Sequence, residues 1–175
     1  ETQWNKYLDC VYVSGASYGS LEGGSASGIF GLNSQQLAMY RDVFALLANK
    51  DNYPVYFHCS WGADRTGTLA YLINGLLGVP YEQLAADFEL TSFSGSGIRE
   101  RAASFDAMHR SMMSGYGSER GLLKNALERY LKEYLGVPQQ HVDAIRSIML
   151  EGKTSEVKYH EVSFMVDGQN YYTVK

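Results

Sequence analysis

Ten consecutive residues, His58-Cys59-Ser60-Trp61-Gly62-Ala63-Asp64-Arg65-Thr66-Gly67, gather the side chains of this chain best suited to chemistry. A thiol is a strong nucleophile only as the thiolate, and a place just before a helix N-terminus, beside a cation, favours that form. Cys59 has such a place. A short apolar run, Val55-Tyr56-Phe57, leads into it, a helical pattern begins near Thr66, and Arg65 lies on the same turn. Ser60 to Asp64 are few enough to wrap a tight cup, and Gly62 frees the backbone so that several N–H groups can point inward together. Such a cup takes a tetrahedral oxyanion. The helix dipole adds about half a positive charge at the same point, and the planar fork of Arg65 can grip two phosphate oxygens at once.

The elements that must position this loop follow from the apolar pattern. Tyr7 to Val13 is short, apolar and rich in strand formers, and a Gly- and Ser-rich tract from Ser14 to Gly31 follows it as a long loop. Asn33 or Ser34 can cap a helix that carries Leu37, Met39, Tyr40, Phe44, Leu46 and Leu47 near one face, and Asp51-Asn52-Tyr53-Pro54 ends it. Val55 to Phe57 reads as a brief, buried central strand. After the loop, Leu69, Leu72, Ile73, Leu76 and Leu77 keep helical spacing up to a stop at Gly78-Val79-Pro80. Four more helical stretches follow, Tyr81 to Leu90, Arg99 to Ser114, Glu119 to Leu135 and Gln139 to Leu150. Past Gly152 the pattern alternates, and Val162 to Val166 and Tyr171 to Val174 read as a hairpin around Asp167-Gly168.

A length of 175 residues suits one domain with a real core, and 45% hydrophobic with 19% charged residues is ordinary for a globular chain. No stretch approaches the roughly 18 consecutive apolar residues of a membrane span. A formal net charge of −4, with no clustered Lys and Arg, argues against nucleic acid as a partner. Two cysteines, Cys10 and Cys59, cannot build a disulfide framework, and His109, His141 and His160 lack acidic or cysteine neighbours at ligand spacing. No metal or other cofactor is therefore expected. Glu1-Thr2-Gln3-Trp4 lacks a starting Met and a signal-peptide pattern, and reads as the start of a processed or trimmed product.

His-Cys, five residues, then Arg-Thr-Gly resembles the phosphate-binding loop of the protein tyrosine phosphatase superfamily. The fuller form, with Gly62 and with Asp64 immediately before Arg65, resembles a bacterial branch of tyrosine and lipid phosphatases. The likeness extends to Leu77-Gly78-Val79-Pro80 and Asp87-Phe88-Glu89-Leu90-Thr91, and fades beyond about Leu150. It implies that Cys59 attacks phosphorus, that Arg65 binds the equatorial oxygens and that the Thr66 hydroxyl assists the departing thiolate. By the same likeness His58 orients the loop and tunes the thiol, while the backbone from Ser60 through Trp61, Gly62, Ala63 and Asp64 to Arg65 forms the anion cradle. Domains of this type carry more chain ahead of the strand at Tyr7, which implies one or two earlier strands.

The chain departs from the superfamily in its acid. It has no Trp-Pro-Asp, and no carboxylate lies between Glu22 and Asp42. Asp64 is the favoured general acid, with Glu22 in reserve. Ala63 stands where relatives acting on phosphoinositides often carry Lys, which disfavours polyphosphorylated substrates. Arg99 and Arg101 could add charge near the mouth, although two arginines on a helix are more often simply solvated. Trp61 serves equally well as a substrate wall or a space-filler. Cys10 reads as a small core residue, and Asp87 as a cap or ion-pair partner.

A bare Cys-x5-Arg arises easily by chance. Here His before it, Gly within it, Thr-Gly after it, and a strand and a helix on either side favour function. The expected fold is α/β, a small, mostly parallel sheet flanked by helices with a helical C-terminal half. Residues 1–152 form the phosphatase domain and 153–175 a hairpin extension, the start of another module. The expected activity is metal-free hydrolysis of phosphate monoesters through a phosphocysteine, on phosphotyrosine peptides first and on phosphorylated inositols or lipids second. A phosphate-binding module without turnover and a rhodanese-like sulfur carrier are the rivals. The terminal hairpin resembles the small β-repeat modules of bacterial surface proteins, which implies an exported protein.

Overall fold

The computed structural model describes residues 29–59, 62–95, 97–103, 105–117, 121–150, 162–166 and 169–174. Six α-helices dominate them: α1 (Ser34–Leu47), α2 (Arg65–Leu76), α3 (Tyr81–Leu90), α4 (Phe105–Tyr116), α5 (Leu123–Arg129) and α6 (Gln139–Met149). Asn33 starts α1 with a reciprocal pair of bonds: its Oδ1 accepts the Gln36 N–H at 2.9 Å, and Gln36 Oε1 accepts the Asn33 N–H at 2.9 Å. A cap of this kind is worth about 1 kcal/mol.

Helix α2 is the central element. Thr68, Leu69, Tyr71, Leu72, Ile73, Gly75 and Leu76 are all buried, so apolar surface wraps most of its circumference, as a helix enclosed by others requires. Helices α3 and α5 pack on it, α4 packs on α5, and α1 packs on α6. At Gly75 a Cβ would stand 2.2 Å from Leu127 Cδ1, so a missing side chain lets α2 and α5 approach closely. Phe44, Leu72, Leu76, Met112, Leu127, Leu131 and Ile145 fill the space between the helices. Each contributes about 1.5–3 kcal/mol by leaving water.

Within the segment Glu119 to Leu135, expected as one helix, α5 runs directly into a π-helical turn, Tyr130–Tyr134. Tyr130 donates through its hydroxyl to the Ile29 carbonyl, and the Leu32 N–H donates to the Tyr134 hydroxyl at 2.8 Å. Phe30 packs among Tyr116, Tyr130 and Tyr134. Together these contacts fasten residues 29–32 to the helical body. The expected helix from Arg99 likewise begins later: residues 97–100 are irregular, a 3₁₀ turn spans Arg101–Ala103, and α4 follows.

Among the described residues the expected parallel sheet is not present. Val55, Tyr56 and Phe57 lie in an irregular stretch with 38%, 80% and 36% of their surface exposed. Strand backbone needs a neighbour to take its N–H and C=O groups, and these three residues have no strand beside them among the described residues. The only sheet among those residues is an antiparallel hairpin, β1 (Val162–Val166) with β2 (Gln169–Val174), in which Val162 pairs with Val174 and Phe164 with Tyr172. That hairpin was expected; the strand Tyr7 to Val13, with Cys10, lies outside the described residues. Among those residues no helix is long and apolar enough to cross a membrane.

A polar cluster joins α2, α3 and α4. Tyr71 Oη lies 3.3 Å from His109 Nδ1, the Tyr81 ring sits 4.4 Å from the His109 ring, and the Tyr81 hydroxyl donates to Asp106. Burial, then the Asp106 hydrogen bond, pushes the Tyr81 hydroxyl up to about 12. Burial pulls the His109 imidazole below its ordinary 6.5, against the opposing pull of Asp106. A histidine held neutral by the fold binds fewer protons than it does in the unfolded chain, so its contribution to stability falls as pH drops from about 6.5 through the folded-state value. On acidification from pH 7.5 to 5, the thermal midpoint is expected to drop further in the unaltered protein than in His109→Gln. Parallel drops in calorimetry would show that His109 carries no part of the acid sensitivity.

Candidate active site

The loop that carries Cys59 ends on the N-terminus of α2, and its described residues can be placed one by one. His58 is exposed; its ring stacks on Tyr56 at 5.6 Å, and its Nδ1 lies 3.2 Å from the Cys59 carbonyl oxygen. The observed contact of His58 is thus with the backbone of Cys59. Cys59 is half-buried. Ser60 and Trp61 lie outside the described residues, as does Glu22. Gly62 turns the chain at φ +73° with open space where a side chain would stand, a backbone setting that L-residues rarely adopt. Ala63 is fully buried and anchors the far side of the loop.

Asp64 occupies the N-cap position of α2, but its side chain does not cap the helix. Its carbonyl oxygen accepts both the Thr68 N–H and the Thr68 hydroxyl, each at 2.8 Å. The first N–H groups of α2 have no intrahelical partner and no side-chain cap, and they open toward the loop with the positive end of the helix dipole. Arg65 is the first residue of the helix and is exposed. Thr66 presents a different picture: its Oγ1 is buried and makes no hydrogen bond to the described residues. A donor left idle in this way is uncommon, and reactive sites are one place where it occurs. Behind the loop, Ala63 and Gly67 line a small cavity together with Tyr71, Leu84, Phe88 and Phe105.

The carboxylate of Asp64 is turned toward a residue that sequence reasoning set aside. Arg99 Nη1 lies 2.8 Å from Asp64 Oδ1, and the Arg99 side chain is only 5% exposed. The expectation of a solvated Arg99 on a helix is therefore corrected: it sits on an irregular stretch, buried, with its guanidinium 5.9 Å from the Phe88 ring centroid. Its own N–H donates to Ser92 Oγ at 2.9 Å, which fixes the stretch to the 3₁₀ turn Thr91–Ser94. Arg101 instead pairs with Glu82 and Glu89, at 2.7 and 2.8 Å. Asp87 is exposed on α3 at the rim of the small cavity.

Comparison with known proteins agrees with the loop. The model of the tyrosine phosphatase family matches residues 29–151. A protein of Cupriavidus necator, provisionally named as a tyrosine-protein phosphatase, is 29% identical over 113 residues, 51% of this chain and 41% of that protein. A tyrosine-protein phosphatase of Nostoc commune is 24% identical over 134 residues, 61% of this chain and 42% of that protein. The chain thus spans about two fifths of the length of each of these curated relatives. No solved structure matches it significantly. The family match covers the reactive loop and all six helices, and on that ground the chain belongs to the tyrosine phosphatase family.

Proposed function

We propose that this chain hydrolyses phosphate monoesters, phosphotyrosine first among them, through a phosphocysteine formed on Cys59. The observation that supports the reading is the uncapped N-terminus of α2 at Asp64 and Arg65, a few residues after Cys59 and inside the family match. The Cys59 thiolate attacks phosphorus while the bond from phosphorus to the leaving oxygen breaks, and that oxygen takes a proton from Asp64. A water oxygen then attacks the phosphocysteine, the bond from phosphorus to sulfur breaks, and Asp64 takes up the water proton. The products are an alcohol or phenol and inorganic phosphate. Backbone N–H groups of the loop and Arg65 hold the phosphoryl oxygens throughout.

Monophosphorylated substrates are favoured over polyphosphorylated ones. Ala63 brings no charge to the loop, and the buried guanidinium of Arg99 faces Asp64 rather than the mouth. Rapid quench into alkaline denaturant with ³²P-labelled aryl phosphate is expected to trap a labelled chain, since a phosphate on a cysteine sulfur hydrolyses in acid and persists in base, and the label is expected to be absent from Cys59→Ser. A chain that binds phosphate yet traps no label would be a binding module. Sulfur transfer from thiosulfate without phosphatase activity would instead make it a sulfur carrier.

A further inference from the structure

We propose that Arg99 is a positioning residue for the proton-transfer step, holding one oxygen of Asp64 so that the other faces the leaving group. The inference rests on the phosphocysteine reading above and adds to it a residue from a different part of the chain. Asp64 Oδ1 is fully buried, yet the Asp64 side chain as a whole is 25% exposed, so its accessible surface lies on its remaining atoms. The contact at 2.8 Å between Oδ1 and Arg99 Nη1 is an ion pair rather than an aligned hydrogen bond, since Oδ1 meets no donor at hydrogen-bonding angles. One oxygen is thus tied inward and the other is left to work outward.

Arg99 is itself held through both backbone and side chain. Its backbone N–H donates to Ser92 Oγ, its guanidinium lies over the Phe88 ring, and the Thr91 hydroxyl donates to the Phe88 carbonyl at 2.6 Å, closing the turn after α3. A side chain buried to 5% exposure has little rotamer freedom left to lose when it engages a partner. The reactive loop is thereby coupled through one ion pair to the end of α3. A proton donor must be aimed within hydrogen-bonding reach of the oxygen it protonates, and a tethered carboxylate meets that demand better than a free one.

The test compares an activated aryl phosphate, whose leaving group needs no proton, with phenyl phosphate or a phosphotyrosine peptide, whose leaving group does. Arg99→Met is expected to lower kcat/KM, which reports only the steps up to departure of the leaving group, by about 10–100-fold on the poor leaving group and by less than about 3-fold on the activated substrate. Asp64→Asn is expected to show the same selectivity, and the double variant to be no slower than Asp64→Asn alone. Arg99→Lys, which keeps the charge and loses the fork, is expected to fall between Arg99→Met and the unaltered protein, and it carries the comparison alone if Arg99→Met does not fold. Equal losses on both substrates, or additive losses in the double variant, overturn the positioning role and leave the phosphatase reading standing. Absence of any Cys59-dependent turnover in the unaltered protein overturns both.

Discussion

Replacing Cys59 by serine is expected to lower turnover of every phosphate monoester by at least about 10⁴-fold, while leaving the binding of inorganic phosphate nearly unchanged. The two halves of this result have one cause. Serine fills nearly the same space, so the loop N–H groups, the α2 dipole and Arg65 still meet an oxyanion. Its hydroxyl, however, is far more basic than a thiol and stays protonated at neutral pH. Cys59 is half-buried, so stability is expected to shift by no more than about 0.5 kcal/mol, which keeps the loss one of chemistry rather than of folding. Steady-state assays and titration of inorganic phosphate against both proteins measure the two halves separately. A Cys59→Ser variant with substantial turnover would place the nucleophile elsewhere.

Helix positions were legible in the sequence wherever a residue's local neighbours decide the outcome. Asn33 with Gln36 marks the start of α1, and Leu69, Leu72, Ile73 and Leu76 mark α2, because capping and the 3.6-residue period are local properties. The His58 to Gly67 motif is readable for the same reason, since its residue types are contiguous. Val55-Tyr56-Phe57 shows where such reading stops: three apolar residues carry strand propensity, but whether they form a strand depends on a distant partner, and their exposure follows from its absence among the described residues. Arg99 is the converse case. An arginine is exposed by default, and only a carboxylate brought to it by the fold makes its burial tolerable, so the Asp64 pair was hidden until the chain was folded. The π turn at Tyr130–Tyr134 belongs to the same class, since tertiary bonds to Ile29 and Leu32 accompany it.

Arg65 is the second residue whose loss is expected to be severe, and its placement makes the prediction sharp. It is exposed at the first position of α2 and forms no ion pair or hydrogen bond to the described residues, so its removal breaks nothing that holds the fold together. Whatever Arg65 contributes must come from what it grips when substrate is present. Negative charge spreads over the equatorial oxygens of the phosphoryl group as it transfers, and a guanidinium that meets two of them binds the transition state more strongly than the ground state. Arg65→Ala is therefore expected to lower kcat/KM by about 10³-fold with an unchanged thermal midpoint, in the range seen when a transition-state donor or arginine is removed. Arg65→Lys restores a point charge without the fork and is expected to recover no more than about a tenth of the lost activity. Because an exposed cation is screened by salt, raising ionic strength should weaken phosphate binding in the unaltered protein more than in Arg65→Ala. Full activity in Arg65→Lys would mean that charge alone suffices, and full activity in Arg65→Ala would remove the phosphate clamp from this loop altogether.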